Sequence, residues 1–137
     1  GRVVSDTMTR ALDQAGVSPE SIRAVKAHAT GTESNDRTEC AAMRLTFGNG
    51  IPPVTCVKPF IGHTAGACGV CEMILFTESL KAGFIPSTPG FQEEDEECNL
   101  APLTENMKAG KGLFMLNYFG FGGNCTTLIL SNEDGKS

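Results

Sequence analysis

A chain of 137 residues, 40% hydrophobic and 20% charged, has the size and make-up of a single globular domain. A formal charge of −5, with only 11 Lys and Arg, argues against nucleic acid as the main partner, because binding phosphates needs clustered cations. No run reaches the ~18 apolar residues of a membrane span and no basic-then-apolar leader opens the chain, so no membrane partner and a cytoplasmic location are expected.

Residues 5–15, SDTMTRALDQA, place Met8, Leu12 and Ala15 on one helical face, with Ala11 beside them. Ser5 or Asp6 is expected to cap the start, and Gly16 to take the left-handed conformation beyond the end. SPES at 18–21 offers Ser18 as a cap and Pro19 as the first residue of a single helical turn. IRAVKAHAT then sets Ile22, Ala24 or Val25, and Ala27 in alternation, which predicts a short strand running into His28. Beyond the turn at Gly31, a helix is expected over about 35–47, and PPVTCV at 52–57 reads as a buried strand.

VKPFIGHTAGACG at 57–69 is the next turn, leading into a helix over 65–81 that carries Val70, Met73, Ile74, Leu75, Phe76 and Leu80. That helix is apolar nearly all round, so it is expected deep in the core. Residues 84–111, with three prolines and the acidic run EEDEE, read as one long loop that is either functional or packed on a partner. GLFMLNYF (112–119) and TTLILS (126–131) are predicted strands joined by the turn GFGGNC. Helices alternating with strands predict a layered α/β domain over 1–132, whose last antiparallel pair makes a sheet of about four to five strands mixed. Residues 133–137 are expected to be a disordered polar tail.

Glycine is over-used: 16 residues, clustered in GHTAGACG (62–69) and FGFGG (119–123), suggest close backbone approach at a site. The six cysteines (40, 56, 68, 71, 98 and 125) are scattered among apolar and glycine-rich segments and are expected to be reduced, mostly buried thiols. A zinc site from His63, Cys68 and Cys71, with or without Cys56, is arithmetically open. Structural zinc usually takes paired C-x₂-C knuckles on turns, however, whereas the one here lies inside an apolar helix. A thioredoxin-like dithiol is also open, since Cys68 sits near a helix N-terminus. The chain's two histidines each end a strand and are each followed by Thr and glycines. On neighbouring parallel strands, their imidazoles would converge at the carboxyl edge where open α/β sheets bind ligands.

HATGTESNDRTE (28–39), VKPFIGHTAGACG (57–69) and NYFGFGGNCTTLIL (117–130), in that order and at compatible separations, resemble the C-terminal half of the β-ketoacyl-acyl-carrier-protein synthases of the thiolase superfamily. The resemblance spans essentially residues 5–132. It is greatest to the two-histidine elongating synthases and to the ketosynthase domains of polyketide synthases. It implies a thiolase-like layered fold, of which this chain is the C-terminal half only. It also implies decarboxylative condensation of an acyl thioester with malonyl-carrier protein, with no cofactor or metal beyond the carrier's phosphopantetheine arm.

By the same resemblance His28 and His63 match the catalytic histidines, which as neutral imidazoles donate hydrogen bonds to the thioester oxygen as it becomes an enolate. Lys58 matches the motif lysine and Glu39 its acidic partner, which implies a buried Lys58–Glu39 ion pair. Thr30 and Thr32 match hydroxyls that bind the phosphopantetheine arm. Phe121 lies in the turn whose backbone N–H completes the oxyanion hole, and Phe119 matches a gate over the acyl pocket.

Ala29 departs from the family's usual glycine, Pro59 from a small polar residue, and Cys125 from an alanine or similar. The family's nucleophilic cysteine belongs to the N-terminal half, and none of the cysteines here sits in that context. The implied partners are therefore that N-terminal half, an acyl carrier protein and, for the complete protein, a second copy. The two histidines are expected within ~8 Å of each other, because they share one small substrate. Two other classes stay open. One is a non-catalytic partner subunit resembling a chain-length factor, and the other a Cys/His metal-binding module.

Overall fold

The computed structural model describes residues 1–29, 33–58, 68–88, 100, 102–119 and 124–133, with only the backbone of Glu33 and Cys68. Helix α1 (Arg2–Ala15) begins earlier than its polar cap residues suggest. Ser5 lies inside it, buried, with its hydroxyl 3.1 Å from Thr46 Oγ1. Gly16 closes it with φ 68°, its N–H turned back to the carbonyls of Asp13 and Leu12, as the sequence predicts. A 3₁₀ turn (Pro19–Ser21) follows, then β1 (Ile22–Lys26), α2 (Glu33–Phe47), β2 (Val54–Thr55) and α3 (Cys68–Lys81). The two long strands are β5 (Leu113–Phe119) and β6 (Cys125–Ser131).

Among the described residues the main sheet has four strands in the order β2-β1-β5-β6. β1 runs parallel to both β2 and β5, and β6 returns antiparallel to β5 with Leu116 opposite Leu128. The mixed sheet expected from the alternating pattern is therefore present. Within 84–111, expected to be loop throughout, β3 (Phe84–Ile85) and β4 (Met107–Lys108) form a separate antiparallel pair. Strands of two residues carry no periodicity, so their pairing was not legible in the sequence.

Side chains alternate across the sheet and feed two cores. On one face Met8 and Leu12 of α1 and Met43 and Phe47 of α2 pack with Val25, Val54 and Met115. On the other, Phe76 and Leu80 of α3 pack with Ala24, Phe114 and Leu116. α3 is less enclosed than its composition suggests: Glu72, Phe76, Ser79 and Leu80 are buried, yet Val70 and Ile74 are 59% and 55% exposed. Nothing among the described residues covers Val70 and Ile74 on the outer side of α3. Cys40 is disulfide-bonded, contrary to the expectation of six reduced thiols, whereas Cys56, Cys71 and Cys125 are free. No helix among the described residues is long and apolar enough to cross a membrane.

Candidate functional site

The site grows from the carboxyl end of β1, the strand flanked by parallel neighbours on both sides. Two residues beyond that strand, His28 is buried at 4% exposure, its ring edge-on to Phe119 at 5.4 Å between centroids. The chain turns sharply at the next residue, where Ala29 holds φ 39°, a left-handed conformation that glycine adopts without cost and alanine does not.

Glu39, from α2, fixes that turn. Its Oε1 accepts the His28 backbone N–H at 2.8 Å and its Oε2 accepts the Ala29 N–H at 3.0 Å. Asn117 of β5 donates its side-chain amide to Glu39 Oε1 at 3.5 Å, and is itself oriented by a 2.9 Å hydrogen bond from Thr127 of β6. Burial pushes the Glu39 carboxyl above the usual carboxylate range, while the two backbone donors, Lys26 and Asn117 pull it back.

Lys58 approaches His28 from the other side. Its Nζ donates to the His28 carbonyl at 2.6 Å and lies 3.2 Å from His28 Nδ1. The same Nζ meets Glu72 Oε1 and Oε2 at 3.2 and 3.1 Å. The expected Lys58–Glu39 ion pair is thus replaced by Lys58–Glu72. α2, carrying Glu39, and α3, carrying Glu72, lie on opposite faces of the sheet, and Lys58 reaches the α3 side. An ammonium can only donate, so with a neutral ring the matching tautomer has Nδ1 as acceptor and its proton on Nε2. In that tautomer the Nε2–H of His28 is the ring's donor.

Sequence reasoning missed two fully buried groups, Glu72 and Lys26. The signal was present in both cases: one acid inside the apolar run VCEMILF, and, in the strand IRAVK, a lysine on the apolar side of the alternation from the exposed Arg23. Lys26 Nζ donates to Glu72 Oε1 at 3.2 Å and to the Asn117 carbonyl at 2.9 Å, and stands 3.9 Å from the centroid of the Tyr118 ring. Burial pulls Lys26 below the ordinary lysine value, with the Glu72 charge opposing it. Cys56, whose thiol is 3.6 Å from the Ala29 carbonyl, has its pKa raised by desolvation, which makes it a poor nucleophile. His63, Thr30, Thr32 and Phe121 lie outside the described residues, as does the expected His28–His63 separation.

Residues 1–92 match the family described as beta-ketoacyl synthase, C-terminal domain. The ketoacyl synthase alpha subunit of the tetracenomycin polyketide synthase from Streptomyces glaucescens is 37% identical over 102 residues, 73% of this chain and 24% of that protein. The 3-oxoacyl-[acyl-carrier-protein] synthase 2 of Mycobacterium bovis is 35% identical over 125 residues, covering 90% of this chain and 30% of that protein. Among solved structures, the ishigamide ketosynthase/chain length factor superposes with a TM-score of 0.87 at 34% identity, over 96% of this chain and 33% of its own. The chain thus spans between a quarter and a third of the length of these relatives. With its fold, its motif order and its matched residues in agreement, the chain belongs to the β-ketoacyl synthase family, as the C-terminal domain.

Proposed function

We propose that the chain is the C-terminal half of a β-ketoacyl-acyl-carrier-protein synthase of fatty-acid or polyketide synthesis, and that it supplies the site of malonyl decarboxylation. In that reaction the bond between the malonyl α-carbon and its carboxylate breaks. The electron pair passes into the thioester enolate as carbon dioxide leaves. His28 Nε2–H and the matching donor of His63 stabilise the enolate oxygen, where charge develops in the transition state. The enolate carbon then attacks the carbonyl of an acyl chain held on cysteine, and the cysteine thiolate departs. That cysteine belongs to an N-terminal half absent from these 137 residues.

The observation that supports the reading is the contact of Lys58 Nζ with His28 Nδ1 and Glu72, which favours the tautomer that donates from Nε2. Thr30 and Thr32 are assigned to the phosphopantetheine arm, Phe119 to gating the acyl pocket, and the Phe121 backbone N–H to the oxyanion hole. No metal or cofactor is invoked. The partners are the N-terminal half, an acyl carrier protein and a second copy of the complete protein, in the cytoplasm. A carrier protein is acidic, and with a charge of −5 this half is acidic too, so docking relies on cations supplied by the other half or the mate.

The test is decarboxylation of malonyl-carrier protein by the complete protein. Replacement of His28 or of His63 by Ala should lower the rate by about 10²–10³-fold, the usual loss for one oxyanion donor. Unchanged rates would overturn the reading. The likeness to a ketosynthase/chain length factor pair favours one second reading, a non-catalytic partner subunit. A complete protein without an acylatable cysteine would establish it.

A further inference from the structure

Lys26 has no counterpart among the roles assigned above, yet it is the most enclosed cation in the described chain, at 0% exposure. It ends β1, two residues before His28. Its ammonium and that of Lys58 lie at the same distance, 3.2 Å, from one oxygen, Glu72 Oε1. Burying one ammonium is costly and burying two on one carboxylate more so, unless further groups compensate. They do here: the Asn117 carbonyl and the Tyr118 ring face Lys26, and the Glu39 carboxylate contributes a second negative charge. Among the described residues, two lysines and two glutamates thus balance in a buried cluster beside His28.

We propose that Lys26 is a positioning residue for His28: it anchors Glu72 so that Lys58 stays against Nδ1, and its charge holds the imidazole neutral. This rests on the reading of His28 as the donor to the thioester oxygen. Without Lys26 the cluster retains Lys58 against Glu39 and Glu72 and becomes negative by one charge, which favours imidazolium. An imidazolium would carry a proton on Nδ1, facing the Lys58 donor at 3.2 Å, and the contact would break. Among the described residues, the groups that face this cluster are Glu39 from α2, Glu72 from α3, Lys58, the Cys56 thiol, and Asn117, Tyr118 and Phe119 from β5. Lys26 therefore acts on catalysis through Glu72 and Lys58 and touches no substrate.

The experiment is a histidine-selective ¹³C NMR titration of the complete protein, with the His28 signal assigned by His28→Asn. Lys26→Met should raise the His28 midpoint by about one pH unit and move the acid limb of malonyl decarboxylation upward by the same amount. Lys26→Arg, which keeps the charge, should leave both near wild type. If Lys26→Met does not fold, Lys26→Gln removes the charge while keeping a donor for the Asn117 carbonyl and reads the same shift. Equal midpoints in the folded neutral variant and the wild type would reduce Lys26 to a structural ion pair and overturn the inference. The titration needs no turnover. A wild-type protein that leaves malonyl thioester intact would overturn the condensing function alone.

Discussion

A carboxylate whose two oxygens each accept a backbone N–H cannot become an amide without turning one acceptor into a donor. Glu39→Gln should therefore break its bond to either His28 or Ala29 and cost about 1–3 kcal/mol, the usual price of an unmet buried donor, measured by urea denaturation. The pH dependence has a definite sign. The folded carboxyl is raised above its ordinary 4.5, so between that value and the folded one the folded chain keeps a proton that the unfolded chain releases, and above the folded one the carboxylate accepts both N–H groups. This contribution to stability is fully present below pH 4.5 and is lost as pH rises through the folded value. Wild type should accordingly lose stability relative to Glu39→Gln, which does not titrate, as pH rises through the folded value. At the neighbouring turn, Ala29→Gly relieves a φ of 39° and should stabilise the chain by about 1 kcal/mol, read as a higher denaturation midpoint. Removing the Lys58 ammonium as Lys58→Met leaves Glu72 with Lys26, so the loss should fall at the low end of the about 3–5 kcal/mol expected for a broken buried pair. The check is the same denaturation series, read beside decarboxylation by the complete protein, which should also fall.

At the scale of the element, α3 carries both a site residue and an unsatisfied surface. Glu72 enters the charge cluster from the buried face, four residues before Phe76, so the helix cannot rotate to hide Val70 and Ile74 without withdrawing that carboxylate. The exposed face and the site are thus tied to one orientation. Replacing Val70 by Ser together with Ile74 by Lys should leave the Glu72 contacts intact. Light scattering of the isolated chain should then show less self-association, with stability changed by less than about 0.5 kcal/mol per site. Unchanged association would place the sticky surface elsewhere, with Val3, Leu45 and Leu128 the remaining large exposed apolar residues among those described.

For the whole molecule, the exposed apolar residues and the coverage of a quarter to a third of each relative point the same way. The isolated chain should self-associate and should neither transfer nor condense acyl groups from carrier-protein substrates. Adding an N-terminal half with its cysteine should restore solubility and turnover. Alkylation gives a sharp control: exposed Cys71 should label quickly in the native chain and buried Cys56 slowly. Turnover by the 137-residue chain together with stoichiometric acylation of one of its own cysteines would place the nucleophile here.

The sequence by itself determined what depends on neighbours along the chain. Alternating apolar residues set the strand that ends beside His28, Gly16 stopped the first helix, and the order of three motifs specified the family. The same resemblance pointed to Lys58 and Glu39, which the structure places on the two sides of His28. It did not pair them correctly, because pairing depends on which face of the sheet each helix covers. Lys58 is 14 residues from Glu72, a separation that carries no information about contact. Only with α2 on one face and α3 on the other does Glu39 meet the backbone of the His28 turn and Glu72 the lysines. Lys26 shows the same division. A lysine in an apolar strand is visible in the sequence, but the carboxylate, carbonyl and aromatic ring that make its burial tolerable come from α3 and β5. Desolvation is a property of the packed interior, and the tertiary structure alone decides which charges share it.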